Sequence, residues 1–457
     1  MADLRTTLTC DVLTPGDPAF DECRKVFNAM HDKRPGAIAR CSSTADVVNA
    51  VNFARERRLI VAVRCGGHSV AGLSVCEDGL LIDLAGLNKI DVDPQARTAR
   101  AGGGVLWGPF DAATQQHALH TPGGRVTTTG VGGFTTGGGY GWTSSKYGLT
   151  CDNLFSAEVV LADGRVVRAS EKENQDLFWG IRGGGGNFGI VTEFEFRLHP
   201  LGPIILAGLM LWPLDRASDV VRAWRDYVDD CPDELSTGLA MITAPHEPFV
   251  PDALKGQVAL GMPVMYVGDA SAGAKVVQPL KDLRPAVDLV QPMPYTAFQA
   301  ILDGSAPKGY RSYWRGEYLD TLSDEAIATF LRHAPELTGR GRPFTQAIIF
   351  RIGQAVAAVP DDATAFSHRD AKYLFHPITV WENARDDEGL IATSRTFCEA
   401  MRPFSTGGAY LNFTAEDRVR DAFGAEKYAR LIRLKDRYDP GNLFRLNQNI
   451  KPSRQQH

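Results

Sequence analysis

The stretch Ile60-Val-Ala-Val-Arg64-Cys-Gly-Gly-His68-Ser-Val-Ala-Gly72 joins a short apolar run directly to a glycine turn. The run at 60–63 is largely β-branched, which predicts a buried strand, and Gly66 and Gly67 end it with backbone freedom that other residues lack. Adjacent glycines let backbone N–H groups approach an anion, so the turn suits a pyrophosphate. His68 comes next, and it either hydrogen-bonds within the turn or reaches the molecule that carries the phosphates.

The composition is that of an ordinary globular protein with an excess of glycine. The chain has 457 residues, of which 44% are apolar and 23% charged, and this length predicts two or three domains. Its 46 glycines are about one residue in ten, against a usual share of roughly 7%. Their clustering predicts loops that a ligand or another segment approaches closely.

Charge and hydropathy exclude two classes of partner. The net charge is −5 and there is no long basic run, so nucleic acid is not expected as a partner. No apolar run is long enough to cross a bilayer, and the N-terminus lacks the apolar core of a secretory signal. We therefore expect a cytoplasmic protein, either a monomer or a homo-oligomer.

The eight cysteines are scattered along the chain. None forms a Cys-x-x-Cys pair, so we predict free thiols and no metal site. Cys65 lies in the turn beside His68, where we expect a small buried thiol rather than a reactive one.

The first 200 residues predict short strands and helices separated by glycine. Ser43 to Asp46 resembles a capping box, and the helix that it begins continues to about Arg57. The other expected elements are strands at 80–84, 89–92 and 98–101, a helix over 106–118, a hairpin over 156–169 with an Asp-Gly turn, a helix over 174–181 and a strand over 190–198.

Two glycine-rich segments carry the strongest local signals. Residues 122–141 interleave valine, phenylalanine and tyrosine with glycine and threonine, unlike a flexible linker, so we predict an ordered loop around a ligand. Gly184-x-Gly186-x-x-Gly189 has the spacing of a dinucleotide fingerprint, but a predicted helix precedes it and a predicted strand follows. The Rossmann motif needs the opposite order, which excludes a nicotinamide dehydrogenase.

Beyond Pro200 amphipathic segments replace the glycine clusters. Strands are predicted over 204–212, 257–267, 312–319, 344–352 and 374–381, and helices over 215–228, 270–283, 323–334, 389–401 and, in the tail, 426–438. This alternation predicts a separate domain in which helices cover one face of an antiparallel sheet.

Five ordered motifs make the resemblance to one family specific. They are Arg64-x-Gly-Gly-His68-Ser, Gly130-Val-Gly-Gly with Gly137-Gly-Gly-Tyr-Gly-Trp142, Lys146-Tyr-Gly-Leu-x-Cys-Asp-Asn153, Gly-Gly-Gly-Asn187-Phe-Gly-Ile-Val-Thr192, and Asn-Leu-Phe-Arg-x-Asn447-Gln-Asn449. With them the chain resembles, over nearly its whole length, the berberine-bridge-enzyme-like branch of the flavoproteins with the vanillyl-alcohol-oxidase fold.

The resemblance implies an α+β protein with three parts. Residues 1–203 are expected to contain a PCMH-type FAD-binding domain of two α/β subdomains, over about 33–203. Residues 204–404 are expected to form the substrate-binding domain, and residues 405–457 a berberine-bridge-like segment that returns to the FAD domain.

The resemblance also implies that FAD is bonded through its 8α-methyl carbon to His68. Many relatives add a second bond from a cysteine, but Val126 stands at that position here, so we expect one covalent link. The other residues that the matched motifs imply for FAD are Arg64, Cys65, Gly66, Gly67, Ser69, Gly72, Thr129, Gly130, Gly133, Gly137, Gly138, Gly139, Trp142, Asn153, Gly189, Ile190, Val191, Asn412, Asn447 and Asn449.

The proton-accepting group departs from the family pattern. Plant relatives place a tyrosine where this chain has Phe413, which cannot accept a proton, so Tyr410 is our first candidate for the base and Tyr140 the second. The remaining candidates are Tyr310, Tyr313, Glu317 and His376. The resemblance also places Val131 at the flavin face that dioxygen reaches.

The strand predicted over 344–352 is expected to cover the substrate site. Gln346, Ile348 and Phe413 are its expected substrate contacts. Gln346 and Arg351 fall on opposite faces of that strand, so only one of them can point at the flavin.

These features favour an FAD-dependent oxidase. It would take a hydride from an alcohol, an amine or a similar activated carbon of a small molecule, such as a secondary metabolite or an oligosaccharide, and pass the electrons to dioxygen to give hydrogen peroxide. The alternatives are a flavin-dependent cyclase or oxygenating tailoring enzyme, and a flavin-binding protein without turnover.

Overall fold

The structure, a computed structural model, describes residues 4–339 and 344–456. The predicted parts 1–203 and 405–457 include residues 1–3 and 457, which lie outside the described residues. Three larger sheets and one two-stranded sheet organise the described residues, and each of the three larger sheets belongs to a different stretch of sequence.

The N-terminal sheet has four strands. They are β1 (Asp11–Leu13), β2 (Ala37–Arg40), β3 (Val61–Arg64) and β4 (Leu80–Asp83). The order is β1-β2-β4-β3, and β2, β4 and β3 run parallel. Helix α3 (Thr44–Glu56) begins at Ser43, whose side chain accepts from the Asp46 N–H while Asp46 accepts from the Ser43 N–H, so the predicted capping box is confirmed.

The second sheet is antiparallel and follows directly in the chain. Its strands are β5 (Ile90–Asp93), β6 (Thr98–Gly102), β8 (Leu154–Val160), β9 (Val166–Ser170) and β10 (Ile190–Arg197), in the order β5-β6-β10-β8-β9, while β7 (Leu119–His120) pairs only with β11 (His199–Pro200). The predicted hairpin is β8–β9. Helix α7 (Gln175–Ile181) precedes the 184–189 glycine run and β10 follows it, which confirms the order that separates this run from a Rossmann fingerprint.

The third sheet is large and antiparallel, and residues 204–409 build it. Its strands are β12 (Ile204–Pro213), β13 (Leu235–Thr243), β14 (Val258–Tyr266), β15 (Val287–Asp288), β16 (Gln291–Pro294), β17 (Arg311–Trp314), β18 (Glu317–Leu319), β19 (Gln346–Arg351), β20 (Tyr373–Trp381) and β21 (Ser405–Ala409). The main order is β15-β12-β14-β13-β19-β20-β18-β21. Strand β21 thus belongs to this sheet, although it lies beyond the predicted boundary at 404.

Helices cover one face of the large sheet. Besides α3 and α7, the helices are α1 (Leu4–Thr7), α2 (Phe20–Cys23), α4 (Trp107–Gln115), α5 (Val131–Thr136), α6 (Ser144–Tyr147), α8 (Ala217–Val228), α9 (Ala270–Lys281), α10 (Tyr295–Gln299), α11 (Asp324–Thr338), α12 (Gln354–Ala357), α13 (Asp387–Met401) and α14 (Val419–Tyr438). Side chains of α8, α9, α11 and α13 share one buried cluster with the sheet. The predicted α+β class, with helices on one face of an antiparallel sheet, is confirmed.

Four sequence expectations differ from the structure in detail. Strand β13 was not predicted, although it lies between β14 and β19 near the middle of the sheet. The strand predicted over 312–319 is two strands, because Arg315 and Gly316 interrupt the regular pairing with β20. The glycine loop contains α5, and a short helical segment from Val419 precedes the predicted tail helix, from which Gly424 at φ 67° separates it by a kink.

The C-terminal segment packs against the second sheet. Val419, Phe423 and Leu431 of α14 share a buried cluster with strands β6, β8 and β10. Among the described residues no helix is both long enough and apolar enough to span a membrane. All eight cysteines are free.

A buried ion pair fixes the tail to the glycine run at 184–189. The Lys435 ammonium donates to the Asp439 carboxylate at 2.7 Å and to the carbonyls of Asn187 and Phe444, each at 2.9 Å. Both charged side chains are almost fully buried, at 0% and 1% exposure. The pair is therefore a point at which the end of the chain is joined to its first half.

Asp439→Asn is expected to lower the free energy of unfolding by about 3–5 kcal/mol, because it leaves the Lys435 charge buried without its counterion. Urea unfolding of the holoprotein measures this difference. Glu399→Gln is the matched control, since it breaks the exposed Glu399–Arg402 pair and is expected to cost at most about 1 kcal/mol. Equal losses in the two variants would show that the buried pair does not fix the tail.

Candidate active site

A large cavity lies where the three larger sheets and the tail meet. Its volume is about 360 Å³. The turn after β3, the 124–140 loop and the 183–191 run form one side, and strands β19 and β20 form a roof over it. Residues 411–414 and 444–448 of the tail complete the wall.

Two glycine turns meet backbone to backbone at the edge of this cavity. A Cβ on Gly66 would lie 2.5 Å from the Gly130 nitrogen, and a Cβ on Gly130 would lie 2.4 Å from the Cys65 sulfur. Only glycine allows this approach at both positions. The contact joins the turn that carries His68 to the loop that carries Thr128.

His68 is held by these two segments with its ring against the cavity. Its Nε2 lies 2.8 Å from the Thr128 hydroxyl, and its ring stacks on Phe27 with centroids 4.4 Å apart. Its Nδ1 makes no hydrogen bond within the part of the chain that the structure describes. Burial, with a contribution from the positive charge of Lys308, lowers the pKa of His68 to about 4. The imidazole is therefore neutral at physiological pH.

No cysteine thiol is positioned to form a second covalent bond to a cofactor in the cavity. Val126 lines the cavity with its apolar side chain. Cys65 also borders the cavity, but its thiol packs on Gly130 and burial raises its pKa to about 11. Cys151 is buried beside Asp152 and is not part of the cavity wall.

The cavity wall fits FAD, because it is built from glycines whose missing side chains leave room. A Cβ built on Gly133 or Gly186 would meet no protein atom within 4 Å, and both residues border the cavity. The Asn447 side-chain nitrogen donates to the Gly186 carbonyl, while its buried oxygen Oδ1 has no hydrogen-bond partner among the described residues. An extended cofactor can therefore lie along this wall and offer a donor to that oxygen.

Most of the residues predicted for the cofactor and the substrate do border the cavity. They are Cys65, Gly66, Gly67, His68, Ser69, Thr129, Gly130, Gly133, Gly137, Tyr140, Gly189, Ile190, Val191, Gln346, Ile348, Asn412, Phe413 and Asn447.

The structure places other predicted residues away from the cavity, in supporting roles. Arg64 forms a buried ion pair with Asp83 at 2.7 Å. Gly72 lies against the His31 ring, and Asn153 donates to the carbonyls of Tyr147 and Leu149. Gly138, Gly139, Trp142 and Asn449 also lie outside the cavity lining.

Val131 does not occupy the position that the resemblance gave it. Its side chain is fully buried in the core beneath the loop, and its N–H donates to the Val105 carbonyl. Thr129 and Gly130, immediately before it, are the residues that border the cavity. We therefore assign Val131 no role at a dioxygen-facing surface.

Tyr410 does not border the cavity either, which argues against its being the base. Its hydroxyl oxygen accepts from the backbone N–H groups of Gly139 and Tyr140 and from the Asn412 amide, all at 3.1 Å. Burial raises the pKa of Tyr410 to about 12. The side chain fixes the glycine loop and lies outside the reach of a substrate.

Of the other candidate bases, Tyr140, Tyr310 and His376 border the cavity, whereas Tyr313 and Glu317 do not. Tyr140 donates its hydroxyl proton to the Arg351 carbonyl. The His376 ring stacks on Phe413 with centroids 4.1 Å apart, and its Nδ1 donates to the Arg315 carbonyl at 2.7 Å. Burial lowers the pKa of His376 to about 3. Its Nε2 is therefore an unprotonated acceptor at the cavity wall.

The roof strands present alternate side chains to the cavity. Gln346, Ile348 and Phe350 of β19 face it, as do His376 and Ile378 of β20.

Arg351 points to the opposite face of β19, where it donates to the carbonyls of Val228 and Cys231. Gln346 and Arg351 thus lie on opposite faces of β19, as their spacing predicts, and Gln346 is the one that faces the cavity.

Sequence reasoning missed several cavity residues. Phe27 and Trp314 come from segments without a recognisable motif, and Arg125 stands in a glycine loop where an arginine usually faces solvent. Only its position next to Val126 could have drawn attention to it.

Gly133→Ala is expected to leave the fold intact but to reduce the bound flavin per chain severalfold, because the new methyl group projects into the cavity and not into protein. Flavin absorbance per polypeptide measures the occupancy, and thermal unfolding measures the fold. Gly389→Ala is the matched control, because it also places a methyl group in open space on a helix, far from the cavity. Full flavin content in Gly133→Ala would contradict this placement of the cofactor.

Comparison with known proteins agrees with this site. Residues 35–170 match the FAD binding domain family, and residues 409–451 match the family described as berberine and berberine like. The uncharacterized FAD-linked oxidoreductase YvdP of Bacillus subtilis is 30% identical, over 98% of this chain and 99% of its own length. The (R)-6-hydroxynicotine oxidase of Paenarthrobacter nicotinovorans is 28% identical, over 97% of this chain and 96% of its own.

A solved structure shows the same fold. The crystal structure of 6-hydroxy-D-nicotine oxidase from Arthrobacter nicotinovorans superposes with a TM-score of 0.86 and 27% identity, covering 98% of each chain. Together with the glycine-walled cavity, these matches show that the chain belongs to the berberine-bridge-enzyme-like family of FAD-linked oxidoreductases.

Proposed function

We propose that this FAD-linked oxidoreductase is an oxidase of small apolar or aromatic molecules, with its flavin bonded to His68 alone and dioxygen as its electron acceptor. When bound, FAD accepts a hydride equivalent from a substrate carbon. The observation that carries the proposal is His68 itself, a neutral imidazole at the wall of a cavity that fits a flavin.

The surroundings of His68 suit it to a covalent role. Nε2 can donate its proton to the Thr128 hydroxyl at 2.8 Å, and this tautomer leaves a lone pair on Nδ1. Stacking on Phe27 fixes the ring plane. We therefore propose Nδ1 as the nitrogen that bonds the 8α carbon. With Val126 at the position of the second link, no further bond to the flavin is expected.

His376 is our candidate for the group that takes the substrate's proton. Its Nδ1–H is committed to the Arg315 carbonyl, so the lone pair of Nε2 is available to a hydroxyl or amino group in the cavity. Phe413, which replaces the family tyrosine, stacks on this ring and fixes its plane. Tyr140 is less suited, because its hydroxyl is already a donor to protein.

The lining of the cavity indicates the kind of substrate. Apolar and aromatic side chains dominate the roof and its neighbours, among them Trp314, Ile348, Phe350, Ile378 and Phe413. An oligosaccharide needs many polar partners for its hydroxyl groups, which this roof does not offer. An alcohol or amine on a compact apolar body fits it better, and relatives named for 6-hydroxynicotine oxidation support such a substrate.

An anaerobic screen tests this function directly. Purified holoprotein is mixed with aromatic alcohols, aromatic amines and oligosaccharides in the absence of oxygen, and flavin absorbance is followed. Aromatic alcohols or amines are expected to bleach the flavin, and admitting air is expected to restore the colour with formation of hydrogen peroxide. Bleaching by oligosaccharides alone, or by none of the three classes, would contradict the proposal.

Substitution of His376 tests its assignment as the base. With a bleaching substrate, His376→Gln is expected to slow flavin reduction about 10²- to 10⁴-fold, whereas Tyr140→Phe stays near wild type. Because the His376 pKa is lowered to about 3, the neutral form persists at every higher pH. Protonation of His376 is thus expected not to slow flavin reduction in the wild type between about pH 5 and 9. The rate is expected to fall only as the pH approaches the His376 pKa. Wild-type rates in His376→Gln would remove it from the mechanism.

A further inference from the structure

Arg125 is a buried cation with unfilled hydrogen-bonding capacity at the wall of the cavity. It is 8% exposed and borders the cavity beside Val126. Its Nη2 donates to the Gly141 carbonyl at 3.3 Å, whereas no described residue accepts a hydrogen bond from the buried Nε or Nη1. An unsatisfied buried donor is costly, and more so when it carries charge.

The charge of Arg125 also lacks a counterion within 4–339 and 344–456. Other buried arginines of the chain have one, since Arg64 pairs with Asp83, Arg351 with Asp233 and Arg369 with Asp152. No ion pair among the described residues includes Arg125. A buried charge without a partner is strongly unfavourable, which calls for a compensating group.

Aromatic rings compensate the charge only in part. The guanidinium carbon lies 4.5 Å from the centroids of Tyr140 and Trp142 and 3.8 Å from that of Phe350. Such contacts attract a cation and hold the side chain in place. The Tyr140 hydroxyl also offsets part of the burial that lowers the pKa of Arg125. It forms no hydrogen bond with Nε or Nη1, so among the described residues these two donors have no acceptor.

We infer that Arg125 binds an anionic group of the substrate, most simply a carboxylate. Guanidinium is the cation best suited to carboxylate recognition, and its hydrogen bonds to an ionised acceptor are strong. Phe350, which contacts the guanidinium, belongs to the same roof strand as Gln346 and Ile348, so the charge lies on the substrate side of the cavity. The inference rests on the proposed function only in taking the occupant to be a substrate.

The expected substrate thus has two poles on an apolar body. Arg125 receives the anionic end, and the carbon to be oxidised carries a hydroxyl or amino group that His376 can reach. Burial is the largest cause of the lowered pKa of His376; the hydrogen bond to the Arg315 carbonyl raises that pKa, and the positive charge of Arg125 lowers it. Arg125 thus helps to keep the His376 imidazole unprotonated. Aromatic hydroxy acids and amino acids belong to this class.

The test is ligand binding to the resting, oxidised holoprotein, which involves no turnover. Benzoate is titrated and the perturbation of flavin absorbance gives its dissociation constant, with benzamide as the neutral isostere. Benzoate is expected to bind at least about tenfold more tightly than benzamide, and Arg125→Met, which keeps length and apolar packing, is expected to weaken benzoate binding about 10- to 100-fold. Benzamide affinity is expected to change little.

Lys308→Met is the control for long-range attraction of benzoate by positive charge near the cavity. Lys308 is an exposed cation near the cavity, with a side chain 58% exposed, and its removal is expected to leave benzoate binding unchanged. Equal benzoate affinity in wild type and a folded, flavin-containing Arg125→Met would overturn the inference, as would a failure of benzoate to bind the wild type. Unchanged benzoate binding with a lowered flavin potential in that variant would show that the guanidinium serves the flavin instead.

These outcomes are separable from those of the proposed function. If the anaerobic screen finds no substrate but benzoate binding depends on Arg125, the anion site stands and the oxidase proposal fails. If aromatic alcohols bleach the flavin equally in wild type and Arg125→Met, and benzoate binding does not depend on Arg125, the oxidase proposal stands and the anion site fails.

Discussion

The backbone contact between Gly66 and Gly130 is the constraint on which the site depends. Gly66 lies in the turn after β3, and Gly130 immediately precedes α5. Because neither has a side chain, the two segments approach closely enough for His68 to meet the Thr128 hydroxyl. The same approach buries Cys65 against Gly130, which explains why a thiol in this turn has a structural role. A larger residue at either glycine would separate the histidine from the loop that orients it.

The rest of the fold closes the cavity around this contact. The large sheet turns its helix-covered face away and presents Gln346, Ile348 and Phe350 as a roof. The tail completes the wall, and Lys435 holds it against the glycine run through Asn187 and Asp439. Residues far apart in sequence thus form one largely apolar chamber, and among its polar groups the neutral acceptor His376 and the cation Arg125 differ in character.

Local sequence signals predicted those features whose causes are local. The capping box at Ser43, the Asp-Gly hairpin and the helix-before-strand order at 184–189 all depend on neighbouring residues, and all are confirmed. Strand β13 is not predicted from the sequence, because Ser236, Thr237 and Gly238 interrupt its apolar pattern. Pairing with β14 on one side and β19 on the other makes this segment a strand. Nonlocal packing overrides intrinsic preference in such positions.

The family pattern was informative for the cofactor and less so for the chemistry. It pointed to the glycines that border the cavity, but it does not say on which side of the loop a side chain lies. Tyr410 and Val131 therefore proved to be buried supports. In the sequence His376 is one candidate base among several, because its stacking on Phe413 and its bond to the Arg315 carbonyl are contacts between distant segments. Arg125 has no sequence signal that sets it apart.

The central claim is that one covalent bond, from His68, holds the flavin. Mass spectrometry of proteolytic peptides from the acid-precipitated holoprotein tests it most directly. The account predicts that the flavin stays with the precipitate, that the peptide containing His68 carries the mass of FAD, and that no cysteine peptide does. Release of the flavin by acid, or its attachment to any residue other than His68, would contradict the account.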